Sequence, residues 1–477
     1  MQLYDYQVKF VEGISNLYRQ GFRSPLGVLP TGGGKTVCFS HIATKATQKP
    51  KQNGAQRRVW IMMHRVELVR QTYRALVKMG QLPGVIHPQF SANYRASIQV
   101  ASIQTLVKRL GAFEHPNMRP DLIIIDEAHH AVSPTYRKII GTFPEAFTLG
   151  VTATPIRGDG KGLGIDAGGV FDSMIVGAQT ADLIAMGKLV KPLLFRPPGA
   201  ITMDGVDVVR GDYDKAQAAE RVDKPTITGD AISHYKKYCD GAPAVVFCVN
   251  VQHAEHVAAQ FRQSGYRAWS VDGSMDDDIR KSILGGLETG EVQVVTSCDL
   301  ISEGTDIPRI AAAFLLRPTK STALYLQQVG RALRVCDGKT QAMIFDHVGN
   351  WLEHGLPEAI REWSLDGEVK GKKKKTNTAP PVRFCPECYI VHSSHLKVCP
   401  HCDFVYPRAE ARALEQVEGE LVLVTEEEAN MMKYNRKKEI WAAQTEEELI
   451  AVAHKHGYKP GWVKHMMRSR ADKAKKN

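Results

Sequence analysis

The residues best suited to chemistry here are three glycines followed by a lysine and a threonine. A short apolar run, 26–29, leads straight into Pro30-Thr31-Gly32-Gly33-Gly34-Lys35-Thr36 and then Val37-Cys38-Phe39. A strand, a glycine-rich turn and a helix start is the setting in which backbone N–H groups wrap an anion. Glycines let the chain pass close to phosphate oxygens, and the helix dipole adds partial positive charge. Lys35 then offers a charge to the β- and γ-phosphates of ATP, and Thr36 a hydroxyl to Mg²⁺. The plainer alternative, a glycine-rich turn with a stray Lys-Thr, does not account for the flanking strand and helix patterns.

A second group lies ninety residues beyond Thr36. The apolar run 122–125 ends in Asp126-Glu127-Ala128-His129. Ligands of open α/β sheets bind at the carboxyl ends of strands, so both acids should face the phosphate loop. Asp126 is expected to hold Mg²⁺ through water, and Glu127 to orient and deprotonate the attacking water. A third group is Cys385-Pro386-Glu387-Cys388 and Cys399-Pro400-His401-Cys402, two knuckles separated by ten residues. Such pairs converge four thiolates on one tetrahedral Zn²⁺, which supplies the stability that a 20-residue segment lacks. The rival, a redox dithiol, needs a thioredoxin-like βαβ context that is absent. His392, His395 and His401 lie nearby, but four thiolates complete the site and make its role structural. The other five cysteines are scattered and read as small buried hydrophobes.

These groups need elements to hold them. Short apolar runs alternate with longer amphipathic segments up to about residue 350. One series is 26–29, 59–63, 98–101, 122–125 and 148–151; a second is 244–249, 268–271, 292–296, 311–316 and 342–345. Runs so continuously apolar suit strands buried on both faces of a parallel sheet. The expectation is an α/β fold with two tandem doubly wound parallel-sheet domains, 1–190 and 226–365, bridged by 191–225. Residues 366–382 contain a lysine run and read as a linker. Residues 383–405 read as a zinc ribbon and 406–477 as a helical tail. That tail ends basic, with eight Lys/Arg against one Asp in 451–477. Within it Trp462 reads either as a base-stacking aromatic between lysines or as the core aromatic of a small helical unit.

Composition narrows the function classes. At 477 residues, with 43% hydrophobic and 24% charged residues, the chain has the balance of a globular protein of two to four domains. No apolar run approaches the roughly 20 residues that span a bilayer, so no membrane partner is expected. The N-terminus lacks a basic start followed by an apolar core, which points to the cytoplasm or nucleoid. A net charge of +11 and a pI near 9.1 raise the expectation of a polyanionic partner. A basic protein with no polyanion to bind is the bland alternative.

With these motifs in view, residues 1–350 resemble the superfamily 2 DEAH-box helicases, in particular DEAH-type DNA helicases of phages and bacteria. Asp126-Glu127-Ala128-His129 matches the box that names the group, and the family commonly replaces the first glycine of the phosphate loop, here Leu29. The resemblance implies two RecA-like domains with ATP between them. It implies that Gln7 recognises adenine and that Thr31, Gly32, Gly33, Gly34, Lys35 and Thr36 cradle the phosphates. His64-Arg65 and Gln104-Thr105 match motifs that touch the nucleic-acid backbone, and Thr296 belongs to a third such motif. Thr152-Ala153-Thr154 matches the element that, with His129 and Gln327, couples hydrolysis to domain motion. Glu303-Gly304-Thr305-Asp306 looks like the motif linking nucleotide state to strand grip, with Gly304 and Asp306 near ATP. Gln327 to Arg334 looks like the arginine motif, with Arg331 and Arg334 stabilising charge on the γ-phosphate from one helix face.

This last motif lacks the His-Arg-x-Gly-Arg form of DEAD-box RNA enzymes, so DNA is the preferred partner, forked or branched DNA included. The ribbon or the basic tail offers a surface for a protein partner. The expected activity is ATP-dependent movement along, or unwinding of, nucleic acid. The rivals are a duplex translocase that never separates strands, an RNA helicase, and an ATP-switched nucleic-acid-binding adaptor.

Overall fold

The computed structural model of the protein describes residues 2–51, 54–157, 160–196, 203, 205–209, 211–298, 306–367, 382–406, 438–440, 442–443, 445–456, 462–463 and 466–467. Seven strands form the first sheet: β1 (Pro25–Val28), β2 (Val59–Met63), β3 (Gly84–Ile86), β4 (Ile98–Ser102), β5 (Leu122–Asp126), β6 (Phe147–Thr152) and β7 (Ser173–Val176). All pair in parallel, in the order β3-β4-β2-β5-β6-β1-β7. β1 to β5 are buried at every position, which explains why their sequences show no polar alternation. β3 and β7 escaped the apolar-run pattern because one has three residues and the other is a half-buried edge. One face packs on Phe10, Phe39 and Val69, the other on Phe113, Tyr136 and Phe143. Trp60 meets Phe113 and Phe143 edge-on at 4.6 and 4.9 Å.

The second sheet has eight strands. β8 (Lys191–Phe195) comes first in the chain, then a small separate hairpin of β9 (Val208–Val209) and β10 (Asp212–Tyr213). β11 (Ala244–Phe247), β12 (Ala268–Val271), β13 (Val294–Ser297), β14 (Ala312–Leu315) and β15 (Gln341–Asp346) follow, and last β16 (Val382–Phe384) and β17 (Ile390–Ser393). The order is β12-β13-β11-β14-β15-β8-β17-β16, parallel from β12 to β8 and antiparallel beyond.

Three boundaries differ from those expected. Lys191–Phe195, at the start of the supposed bridge, is a strand pairing with β15 over five residues; Pro192 weakened its signal. The cysteine-rich hairpin is not a free-standing ribbon but the edge of the second sheet, through β17 on β8. Residues just short of 367 return to the first half: Trp363 and Leu365 pack with its core, and the Gly164 N–H donates to the Leu365 carbonyl at 2.9 Å. A Cβ at Gly162 would fall 1.9 Å from that carbonyl oxygen, so only glycine permits the approach. The chain thus crosses between the halves twice, near 177–190 and near 354–363, and the Arg361 N–H donates to Gln179 Oε1 at 3.0 Å where the crossings run together. The lysine run expected as a linker lies outside the described residues.

Residues 407–477 form a separate unit. Its helix Glu446–His456 opens on a reciprocal cap between Thr445 and Glu448, at 3.0 and 3.2 Å. Ala443, Leu449, Ala453 and Val463 make a small core with Trp462 packed against it, which favours the core reading of that aromatic. The rest of the tail lies outside the described residues. Among the described residues no helix is long and apolar enough to cross a membrane.

Candidate active site

Strand order brings the sequence motifs together. β5, β6 and β1 are neighbours, so the carboxyl ends of all three deliver their motifs side by side: Asp126-Glu127, Thr152-Ala153-Thr154 and the phosphate loop. The Leu29 N–H donates to the Thr152 carbonyl at 3.0 Å, fastening the loop's first turn to β6. Gly32 and Gly34 sit at φ +84° and +82°, where a side chain is strained. Gly34 caps the helix Lys35–Gln48, so Lys35 and Thr36 occupy its positive end. Gln7 lies over this turn. A Cβ at Gly34 would fall 2.3 Å from Gln7 Nε2, which donates to the Gly33 carbonyl at 3.4 Å. The Tyr6 hydroxyl donates to the same carbonyl at 3.1 Å.

The acids are buried. Asp126 accepts the Glu127 N–H at 3.0 Å, and burial first, then the charge of Glu127, push its carboxyl well above the usual carboxylate range; Lys35 pulls it back. A site with two crowded carboxylates, a lysine and a threonine at a helix start fits a divalent cation carried by a triphosphate. Glu127 adopts a left-handed conformation, φ 48° and ψ 56°, a strained geometry for a residue with a side chain. His129 stands between two motifs, with Nδ1 3.5 Å from Glu127 Oε2 and 3.3 Å from Thr152 Oγ1. The Thr152 hydroxyl also donates to the Thr154 carbonyl at 3.0 Å and accepts the Thr154 N–H at 3.2 Å.

The second half closes on the loop through the helix Thr322–Ala332. A Cβ at Gly330 would fall 2.8 Å from Thr31 Cβ, and one at Gly32 would fall 2.7 Å from Leu189 and 3.9 Å from Arg334 Cγ. Gln327 and Arg331 are buried on this helix. The helix ends at Ala332, so Arg334 is not its neighbour on one helix face as expected; it lies in the following turn, held by a bridge to Leu189. Its guanidinium pairs with Asp306 at 2.5 Å. Gly304 lies outside the described residues. Leu189 was not found from the sequence, because nothing in its type or spacing marks a residue that packs on both the loop and Arg334.

The expected strand contacts divide. β4 and β2 continue the row beyond β5, which places Gln104 and His64 together: Gln104 Nε2 donates to the His64 carbonyl at 3.2 Å. Arg65 caps the helix Val66–Lys78. Thr105 and Thr296, by contrast, are turned inward. Thr105 is mostly buried, and the Thr296 hydroxyl, fully buried, donates to the Ala254 carbonyl at 2.7 Å, so the Thr296 side chain is committed to packing. Near this end an ionic tie joins the halves: Glu67 meets Arg280 at 3.0 Å, and Arg280 also pairs with Asp277.

The four knuckle sulfurs lie within 4.8 Å of one another, with Cys385–Cys402 and Cys388–Cys399 at 3.5 and 3.6 Å. Zn–S bonds of about 2.3 Å place tetrahedral sulfurs about 3.8 Å apart, whereas a disulfide needs about 2.05 Å. The knuckles repeat one backbone pattern. Tyr389 and Asp403 are left-handed (φ 58° and 56°), and their N–H groups donate to Cys385 and Cys399 at 3.0 and 3.1 Å. The arrangement fits a tetrahedral thiophilic metal.

Comparison with known proteins agrees with this geometry. Residues 1–157 match the family "Type III restriction enzyme, res subunit", and 230–336 match "Helicase conserved C-terminal domain". A 51.5 kDa protein of a Lactococcus phage is 30% identical over 86% of this chain and 84% of its own. IRC3 of Saccharomyces cerevisiae, whose name describes an ATP-dependent helicase, is 29% identical over 73% of this chain, which spans only 51% of it. Among solved structures, an HsdR-subunit fragment of a type I restriction enzyme from Vibrio vulnificus shares the fold at TM-score 0.58 and 22% identity, over 76% of this chain and 67% of that one. The type ISP restriction-modification enzyme LlaBIII bound to DNA does so at 0.53 and 16%, over 72% and 27%. The chain belongs to the ATP-hydrolysing superfamily 2 helicases.

Proposed function

We propose that the protein is an ATP-driven DNA motor that translocates along or unwinds DNA by opening and closing the cleft between its two sheets. The observation that carries this reading is the seating of Gly330 on Thr31, which sets the arginine helix of one half against the phosphate loop of the other. Gln7 recognises adenine, and Thr31, Gly32, Gly33, Gly34, Lys35 and Thr36 cradle the phosphates. Thr36 and Asp126 hold the Mg²⁺ that accompanies ATP, and that ion supplies charge neutralisation at the phosphates. Glu127 orients the attacking water and takes its proton, while Arg331 and Arg334 face the γ-phosphate from across the cleft. His129, Thr152, Thr154 and Gln327 pass the change to the rest of the molecule. His64, Arg65 and Gln104 grip the strand.

Cys385, Cys388, Cys399 and Cys402 hold a structural Zn²⁺ that stabilises the hairpin on the sheet edge. This hairpin and the basic tail offer surfaces to a protein partner. DNA is favoured over RNA by the form of the arginine motif and by relatives that act in DNA restriction. ATP turnover measured with single-stranded, duplex, forked and RNA ligands tests the reading. Acceleration by DNA is expected; acceleration by RNA alone, or by no ligand, overturns it.

A further inference from the structure

Three histidine rings lie in contact between the carboxylates of the ATP side and the residues expected to grip the strand. His129, 3.5 Å from Glu127 Oε2, has its ring 4.2 Å from that of His130, tilted by 45°. The His130 ring in turn meets His64 edge-on at 4.6 Å. His64 accepts from Gln104 through its carbonyl, and Gln104 Oε1 accepts from the Ser102 hydroxyl at 2.8 Å. The adjacency follows from the sheet: β2 runs into His64, β5 runs into Glu127 and its two histidines, and β2 pairs with β5. Beyond the rings lies a cavity of about 200 Å³ lined by His64, Gln104, His130, Ser133, Thr135 and Tyr136, with Ile103 the apolar member of its wall. Amide, hydroxyl and imidazole groups around an open cavity suit phosphodiester oxygens.

A second link runs through the backbone. The His130 N–H donates to the Glu127 carbonyl at 3.0 Å, closing a single tight turn, Ala128–His130, on a Glu127 already in the left-handed region. Packed rings have discrete arrangements rather than a continuum, so a shift of His64 would reposition His130 and His129 together. The turn would carry the same shift to the Glu127 main chain.

We propose that His130 is a positioning residue that couples occupancy of this cavity by a nucleic-acid backbone to the orientation of Glu127. The inference rests on the reading of the protein as a nucleic-acid-stimulated ATPase. His64 and Gln104 make the strand contact, and His130 transmits it through the shape of its ring. This transmission is assigned to the shape of the ring, which a planar substitute would keep.

The test compares wild type, His130→Ala and His130→Phe for ATP turnover with and without saturating oligodeoxythymidylate, alongside oligonucleotide affinity. His130→Ala is expected to lower the ratio of stimulated to unstimulated turnover at least tenfold while affinity changes less than threefold. His130→Phe, which keeps a planar ring between its neighbours, is expected to recover most of that ratio. The double variant His129→Ala/His130→Ala should lose no more than the worse single one, because both lie on one path. A ratio within twofold of wild type in His130→Ala overturns the proposal, as does equal impairment of Ala and Phe. A large loss of affinity at an unchanged ratio also overturns it, making His130 a direct strand ligand. Wild-type turnover that no strand accelerates sinks both this proposal and the reading beneath it.

Discussion

The two halves of the cleft are built on different principles. The first half is held by one parallel sheet: Lys35, Thr36, Asp126, Glu127, His129 and Thr152 gather at the carboxyl ends of three neighbouring strands, with Asp126, Glu127 and Thr152 buried. The second half contributes cations from a helix and the turn after it, one of them already paired with Asp306. Crowded carboxylates are costly to bring together and are fixed by the sheet. The arginines reach the same place only as a body, so the geometry lets the first half bind and leaves timing to the second.

Substitutions can break that division. Lys35→Ala is expected to remove both ATP affinity and turnover, the largest effect, since in the proposed site Lys35 is the first half's charge on the phosphates; equilibrium nucleotide binding and steady-state hydrolysis measure it. Wild-type turnover in this variant would place the site elsewhere. Arg331→Ala should lower turnover by about 10³-fold, the lower end for an arginine finger, with ATP affinity within a few-fold of wild type. The opposite pattern, lost affinity with normal turnover, would remove the finger role.

Acid should distinguish the halves by stability. In the second, burial and the neighbouring His234 push His347 down to about 3, and burial pushes His253 to about 4 against the pull of Asp223. Unfolded histidines take up protons near pH 6.5, so between there and about pH 4 the unfolded chain binds more protons and stability falls as pH falls. Asp346, raised to about 6 by burial, works against this trend, so the test is a difference between proteins: His347→Asn should lose less thermal stability than wild type between pH 6.5 and about 4.5. An identical pH slope in wild type and His347→Asn would contradict the burial of this ring as a neutral group. The smallest effect belongs to Arg280→Ala, which releases the tie to Glu67: a two- to fivefold change in DNA-stimulated turnover is expected, shrinking as salt rises. An unchanged salt dependence would show that the tie contributes nothing.

Most of the ATP side was legible in the sequence because each motif is a contiguous stretch at a strand end, and strand ends are marked by the switch from apolar to polar residues. What was not legible joins distant segments. β8 carries a proline and follows no period, the Glu67–Arg280 tie spans two helices in different halves, and Trp363 looks like any apolar residue in a loop. Thr296 went the other way: motif resemblance suggested a strand contact, while its fully buried hydroxyl is taken up by the Ala254 carbonyl. His130 drew no notice in the sequence; the pairing of β2 with β5 is what brings it against His64.

The paired chain crossings carry one more consequence. A body tethered at one point can swivel about any axis, whereas two attachments define a line and leave rotation about that line as the easy motion. The crossings at 177–190 and 354–363 lie against each other at Gln179 and Arg361, so this line is short and lies beside the nucleotide cleft. Small angular changes at the cleft then become larger linear displacements at the far rim, as with a lever whose pivot sits close to the applied force.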